Sequence, residues 1–323
     1  MFFSTASIDL YIVSILKIGG ILKNRTAIIV HGGAIKGAFA AGVMYYLSRI
    51  GIQAADIIVG TSSCVPTAAY FTSRQFEFIK NIWLREVGSK DFINRFNLLA
   101  GKPIFNLPHL INTVFQQRYP LNVGDIVGSE SLFLVPLYNY REGRVEFINN
   151  RQEQFKKDSW KVLQAALTVH DQDIVREEGL EQFVDADLDP FALYRQQVIP
   201  NGHNVLVVIN HKDLDYTLKR WLGVRIYRLL QSKHFPDGVK DKLKDRGELI
   251  KSGLKLFQKF EEDYRPILIS PPETMNLNTS TLITRNKDRL NYLFEMGVRS
   301  VMDIDKQVLS DFVSRSQELL NTS

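Results

Sequence analysis

In the run Asp56-Ile-Ile-Val-Gly-Thr-Ser-Ser-Cys-Val-Pro, an apolar strand breaks at Gly60 and the chain restarts at Val65 as a helix of small residues, with Ser62 at the turn. A serine at the tip of a strand-to-helix elbow is pushed toward solvent, and the helix behind it aims N–H groups at any charge that develops in front of it. That is the disposition of a nucleophile. The G-x-S-x-G form of such an elbow has a second glycine where this chain has Cys64. The cysteine lies two residues past the tip, where a side chain turns inward, and reads as a small buried hydrophobe, not as the nucleophile.

A second turn of the same kind lies upstream. Gly32, Gly33, Ala34, Ile35, Lys36 and Gly37 join a strand to a helix, so backbone N–H groups gather at the positive end of that helix and form an anion site. Neither G-x-x-x-x-G-K-[ST] nor G-x-G-x-x-G is present, which argues against a nucleotide phosphate. The remaining readings are glycines used only for a tight turn, and donors preorganised for the oxyanion of an acyl-transfer intermediate. Gly60 follows only 23 residues after Gly37. Two anion-competent turns on consecutive parallel strands come to lie side by side at the carboxyl edge of a sheet, which favours the oxyanion.

A serine needs a base. Asp185 with His203, His211 or His234 would follow α/β-hydrolase order, but that fold places several elements between the glycine loop and the elbow, and these 23 residues hold one helix and one strand. Each of the three histidines reads as a surface or hinge residue. The direct alternative is a single aspartate that accepts the serine proton. Phe183-Val-Asp-Ala-Asp-Leu-Asp-Pro-Phe offers Asp185, Asp187 and Asp189; Asp187 and Asp189 read as turn formers. A calcium loop fails because Pro190 stands where glycine is required and no downstream glutamate is in register. No metal or other cofactor is called for.

The elements that position these residues are legible as apolar runs. Thr26–Val30 and Asp56–Val59 read as buried strands, with a helix over Gly37–Ile50 between them, whose Ala38, Ala40, Ala41 and Gly42 suit close approach to a sheet. This is the start of a doubly wound α/β sheet with parallel first strands. A hairpin follows, LFLVPLYNY and VEFINN around Glu142 and Gly143; then come strands at 204–210 and 266–271 and a last helix over Asn286–Met296, closed by Gly297. Helix-like runs cover Tyr216–Leu230 and Lys240–Phe260. No repeat or linker divides residues 26–323, so one α/β domain with a basic helical insertion is the simplest organisation.

With 323 residues, 45% of them hydrophobic, and a net charge of +5, the chain is ordinary globular material. The charge is concentrated: residues 211–260 hold thirteen Lys or Arg against six Asp or Glu, a net of +7. Lys219, Arg220, Trp221, Arg225 and Arg228 mix cations with an aromatic ring. That mixture suits the headgroup boundary of an anionic membrane as well as it suits a solvated helix face. No nucleic-acid motif accompanies it. The single cysteine excludes an internal disulfide and fits a reducing, cytoplasmic setting, with peripheral membrane contact or signal-independent export as variants. Residues 1–25 are apolar but interrupted by Asp9 and Lys17, lack a signal-peptide pattern, and read as a helix on the domain edge or on a membrane surface.

GGAIKG, AAGV, GTSSC and VDADLDP, in that order, resemble the patatin-like phospholipases, whose pattern is a G-G-G-x-[KR]-G loop, a G-x-S-x-G elbow and a D-G-[GA] motif. The resemblance runs from about Thr26 to about Asn210, and ISPPETMNL with the helix near Gly297 extends it. It implies a three-layer α/β/α sandwich with a mainly parallel sheet, and metal-free hydrolysis of phospholipid or other lipid esters. It also implies a dyad of Ser62 and Asp185 and an oxyanion loop of Gly32, Gly33, Ala34, Lys36 and Gly37, with Gly60 and Cys64 in the elbow. Three positions depart from the pattern: Ala34, Cys64, and Ala186 with Asp187. Ala34 reads as a mild change that keeps its N–H. Asp187, if turned inward, would raise the pKa of Asp185. The competing expectation is a catalytically weak domain that binds a lipid or a protein.

Overall fold

The computed structural model describes residues 25–98, 102–168, 173–210, 236–244, 246–272, 275 and 284–322. Residues 1–24 of the helix expected over 1–25 lie outside them, as do Lys219, Arg220, Trp221, Arg225, Arg228, His211 and His234. The chain is α/β. Its strands are β1 (Thr26–Val30), β2 (Ile57–Gly60), β3 (Leu132–Asn139), β4 (Arg144–Asn149), β5 (Phe183–Asp185), β6 (Asn204–Val208) and β7 (Ile267–Ile269). They form one mixed, mostly parallel seven-stranded sheet in the order β4-β3-β2-β1-β6-β7, with β5 also paired to β3.

Strand β1 shows why the sheet is covered on both faces. All five of its residues are buried, a continuous run and not an alternation, which marks a strand with helices above and below it. Ile28 and Val30 enter one apolar cluster, and Ala27 and Ile29 the other. On the first face lie α1 (Gly37–Arg49), α2 (Val65–Thr72), α5 (Glu153–Leu167) and α9 (Lys287–Met302). On the second lie α6 (Ala192–Arg195), α7 (Asp237–Lys244) and α8 (Arg246–Tyr264). Short α3 (Phe76–Asn81) and α4 (Val123–Val127) and the final α10 (Ser310–Thr322) complete the named helices. The arrangement is compatible with a three-layer sandwich. None of the described helices is long and apolar enough to cross a membrane.

Two sequence expectations change in the structure. Gly297 does not close the last helix: α9 runs on to Met302. A Cβ on Gly297 would lie 2.0 Å from the Phe39 carbonyl oxygen, and one on Gly42 would lie 2.0 Å from that of Phe294. The two glycines are therefore the point where the backbones of α1 and α9 touch, and Gly42 serves a helix crossing, not the approach to the sheet. The described part of the basic segment is also no appendage. It supplies α7 and α8 of the connection between β6 and β7, and buries Val239, Leu243, Phe257 and Phe260 against the second face.

Candidate functional site

The parallel strands β1, β2 and β6 end at one edge of the sheet, and their register brings the expected site together there. Val30 pairs with Gly60 on one side and with Val208 on the other. Gly32, Ser62 and Asn210 each stand two residues beyond those partners, so they share one row past the strand ends. The fourth member arrives from the opposite direction. Val59 pairs with Leu134 of β3, which would set Ser62 beside Leu137 had β2 continued. It turns away instead, and antiparallel β5 takes the vacated place, with Asp185 opposite Leu137. Sheet register alone therefore delivers Asp185 to Ser62.

The side chains meet. Ser62 Oγ donates to Asp185 Oδ2 at 2.6 Å, within the range of a hydroxyl bound to a carboxylate. Both residues are buried, Ser62 9% and Asp185 4% exposed, so little water competes for the bond. The other carboxylate oxygen, Oδ1, accepts the Asp187 amide at 2.8 Å. Asp187 thus holds the carboxylate through its backbone.

Ser62 sits at φ +53, in the left-handed region. A side chain pays about 1–3 kcal/mol to be there, and the surrounding turn holds it: Thr61 N–H bonds the Val30 carbonyl at 3.0 Å and Cys64 N–H the Thr61 carbonyl at 3.1 Å. Behind Ser62, Pro66 stands in the first turn of α2, where a missing N–H costs nothing. Gly60 is the residue this elbow cannot replace, since a Cβ there would meet Ala68 Cβ at 2.7 Å and Val65 Cα at 2.9 Å. Cys64, by contrast, has φ −94, open to any residue. It is wholly buried, and burial pushes its thiol up to about 12. A thiol in that state is not a nucleophile near neutral pH.

The glycine loop lies directly against the nucleophile. A Cβ on Gly32 would be 2.5 Å from Ser62 Cβ and 3.3 Å from its Oγ. Lys36 N–H bonds the Gly33 carbonyl at 3.1 Å, and Gly37 N–H bonds the carbonyls of Ala34 and Ile35. These two amides close the loop on itself. Those of Gly32 and Gly33 have no hydrogen-bond acceptor among the described residues. Ala34 stands at φ +50, so the alanine in place of a third glycine carries backbone strain of about 1–2 kcal/mol and is a costlier change than its retained N–H suggests. Lys36 is buried, 3% exposed.

Of the histidines in the triad alternative, His203 lies at the wrong edge. It immediately precedes β6, bonds the Pro200 carbonyl through Nδ1 at 2.9 Å and feels the charge of Asp56 at the start of β2. Asp56 is itself held by Arg315 of α10, at 2.6 Å from Nη2. Five strand residues, roughly 16 Å at about 3.3 Å each, separate that edge from Ser62. The histidine that does lie at the site's edge escaped the sequence reading. His31 precedes the glycine loop, is buried, and its Nε2 and the Tyr194 hydroxyl share a hydrogen bond of 2.5 Å. Burial pushes its pKa down to about 4, against the smaller opposing pull of Asp187, so it is a neutral support at ordinary pH. Asp189 is more than a turn former: its buried Oδ2 pairs with Arg195 at 2.7 Å and Lys242 at 3.3 Å. No cluster of three or more potential metal ligands occurs among the described residues.

No protein-family model matches this chain, and no curated protein matches it.

Proposed function

We propose that this chain is a patatin-like serine acyl hydrolase that cleaves phospholipid or other lipid esters. The observation that carries the reading is the 2.6 Å bond from Ser62 Oγ to Asp185 Oδ2 at a strained elbow under a glycine loop. As the Ser62 oxygen attacks the ester carbonyl carbon, its proton passes to Asp185. The carbonyl oxygen becomes an oxyanion, which the loop amides of Gly32, Gly33 and Ala34, without an acceptor among the described residues, are disposed to stabilise. Collapse of this intermediate expels the alcohol, which takes the proton from Asp185, and leaves an acyl-serine. Water, deprotonated by Asp185, then releases the fatty acid and restores the serine. The placement of Asp185 beside Ser62 by β5 supports a carboxylate base that needs no histidine relay.

The order of the GGAIKG, GTSSC and VDADLDP motifs supports the family, and the two-faced, mostly parallel sheet is compatible with the sandwich that family adopts. Lipid is the proposed substrate because the basic segment around Trp221 suits an anionic bilayer, which makes peripheral membrane contact part of the proposal. The test is hydrolysis of a short p-nitrophenyl ester and of anionic phospholipid vesicles by the purified chain, with Ser62→Ala as the control. Turnover that vanishes in the variant supports the hydrolase. Well-folded protein with no Ser62-dependent turnover on either substrate favours the binding domain instead.

A further inference from the structure

Asn210 has no place in the motif pattern, yet it is the most heavily used side chain behind the glycine loop. It is fully buried. Its Oδ1 accepts the Ala40 amide at the start of α1 at 3.1 Å. Its Nδ2 donates to the His31 carbonyl at 2.5 Å and lies 3.5 Å from that of Gly32 and 3.4 Å from Cys64 Sγ. Its Cβ sits 2.9 Å from the place a Gly33 Cβ would fill. One amide group thus touches the loop, the helix that follows it and the elbow.

The direction of these bonds matters. In a planar trans peptide the C=O of one residue and the N–H of the next point opposite ways. Drawing the His31 carbonyl toward Asn210 turns the Gly32 N–H away from it, and the weaker pull on the Gly32 carbonyl does the same for the Gly33 N–H. Both amides lack an acceptor among the described residues, as do those of Ala34 and Ile35, and Ser62 lies against the same loop. Glycine has little torsional preference of its own, so something outside the loop must fix these peptide planes.

We infer that Asn210 is a positioning residue that aims the Gly32 and Gly33 amides at the oxyanion. The inference rests on the acyl-hydrolase reading and assigns the alignment of its oxyanion site to a residue on a different strand. Asn210 touches no reacting atom. It acts through the loop, so its removal affects the transition state more than substrate binding.

The test compares Asn210→Ala and Asn210→Ser with the unmodified chain on a p-nitrophenyl ester and with a trifluoromethyl ketone, which adds to the serine and places an oxyanion in the same donors. In Asn210→Ala, kcat is expected to fall about 30- to 100-fold, KM to stay within about threefold, and ketone affinity to fall in step with kcat. Asn210→Ser keeps a small donor and is expected to recover part of both losses; it also carries the test if the alanine variant does not fold. A folded variant with kcat within threefold of the parent overturns the inference. So does a kcat loss with ketone affinity unchanged, which would mark a merely structural role. Absence of Ser62-dependent turnover in the unmodified chain is a separate result: it removes the hydrolase reading, and this inference with it.

Discussion

Replacing Gly32 by alanine is the sharpest perturbation of the site, because its consequence follows from one distance. Gly32 does not lie in the left-handed φ region, so the effect of an alanine there is read from its steric clash. Its Cβ would stand 2.5 Å from Ser62 Cβ and 3.0 Å from the Thr61 carbonyl, against ordinary contact at 3.4–4 Å. The loop and the elbow must therefore separate by about 1 Å, and misplacement on that scale costs roughly 100-fold in rate. That is about 2.7 kcal/mol of transition-state stabilisation, the same size as the loss of one oxyanion donor. The fold itself should tolerate the change, since the clash lies at the strand ends and not in either apolar cluster. The assay is steady-state hydrolysis of a p-nitrophenyl ester beside a thermal unfolding curve, with Gly128→Ala as the control. Gly128 has φ −82, and its Cβ would meet nothing nearer than 3.4 Å. Gly32→Ala is expected to lose at least 100-fold in kcat/KM with a nearly unchanged midpoint. A folded Gly32→Ala variant that turns over within threefold of the parent would refute the placement of the loop against Ser62.

Ala34→Gly relieves the left-handed φ at a smaller cost in unfolded-chain entropy, and is expected to raise the unfolding midpoint by about 1–2 °C; a lower midpoint would show that the strain is absent. Cys64, buried with its thiol pushed up to about 12, should resist iodoacetamide at pH 8 in the native protein and react once denaturant is added, whereas native labelling at the denatured rate would contradict its burial. His31 has its pKa lowered from 6.5 to about 4. Between those values the unfolded chain holds a proton that the folded chain does not, so stability falls as pH drops through this window, by roughly 3 kcal/mol in all. Chemical denaturation of the parent and of His31→Gln from pH 7 to 4 should show the parent losing more stability; parallel curves would sink that assignment.

Much of this architecture is written locally. The strands at Thr26–Val30 and Ile57–Gly60 announce themselves as unbroken apolar runs because both faces are covered, and the β3–β4 hairpin is marked by the turn at Gly143, at φ +71. The elbow and the loop are equally visible, since only a few residue types satisfy those turns. What the sequence hides is what long-range register creates. Strand β5 is three residues long, too short for a periodicity, and exists because β2 leaves a gap beside β3. Gly297 looks like a helix stop by type and is a helix crossing by location. Asn210 and His31 carry no motif: Asn210 reaches the loop because β6 lies beside β1 in the sheet, and His31, although next to the loop in sequence, is marked only by its distant partner Tyr194, neither of which a local pattern records. The one available signal was an asparagine just past an apolar strand, where a buried amide needs partners.

The central claim is that Asp185 activates Ser62 directly, and labelling with a fluorophosphonate probe followed by mass spectrometry addresses it most directly. The account predicts an adduct on Ser62 in the native chain and its loss in a folded Asp185→Asn variant, because the amide can hold the hydroxyl but cannot take its proton. An adduct elsewhere, no adduct on well-folded protein with or without anionic vesicles, or labelling of Ser62 undiminished by Asp185→Asn would contradict it.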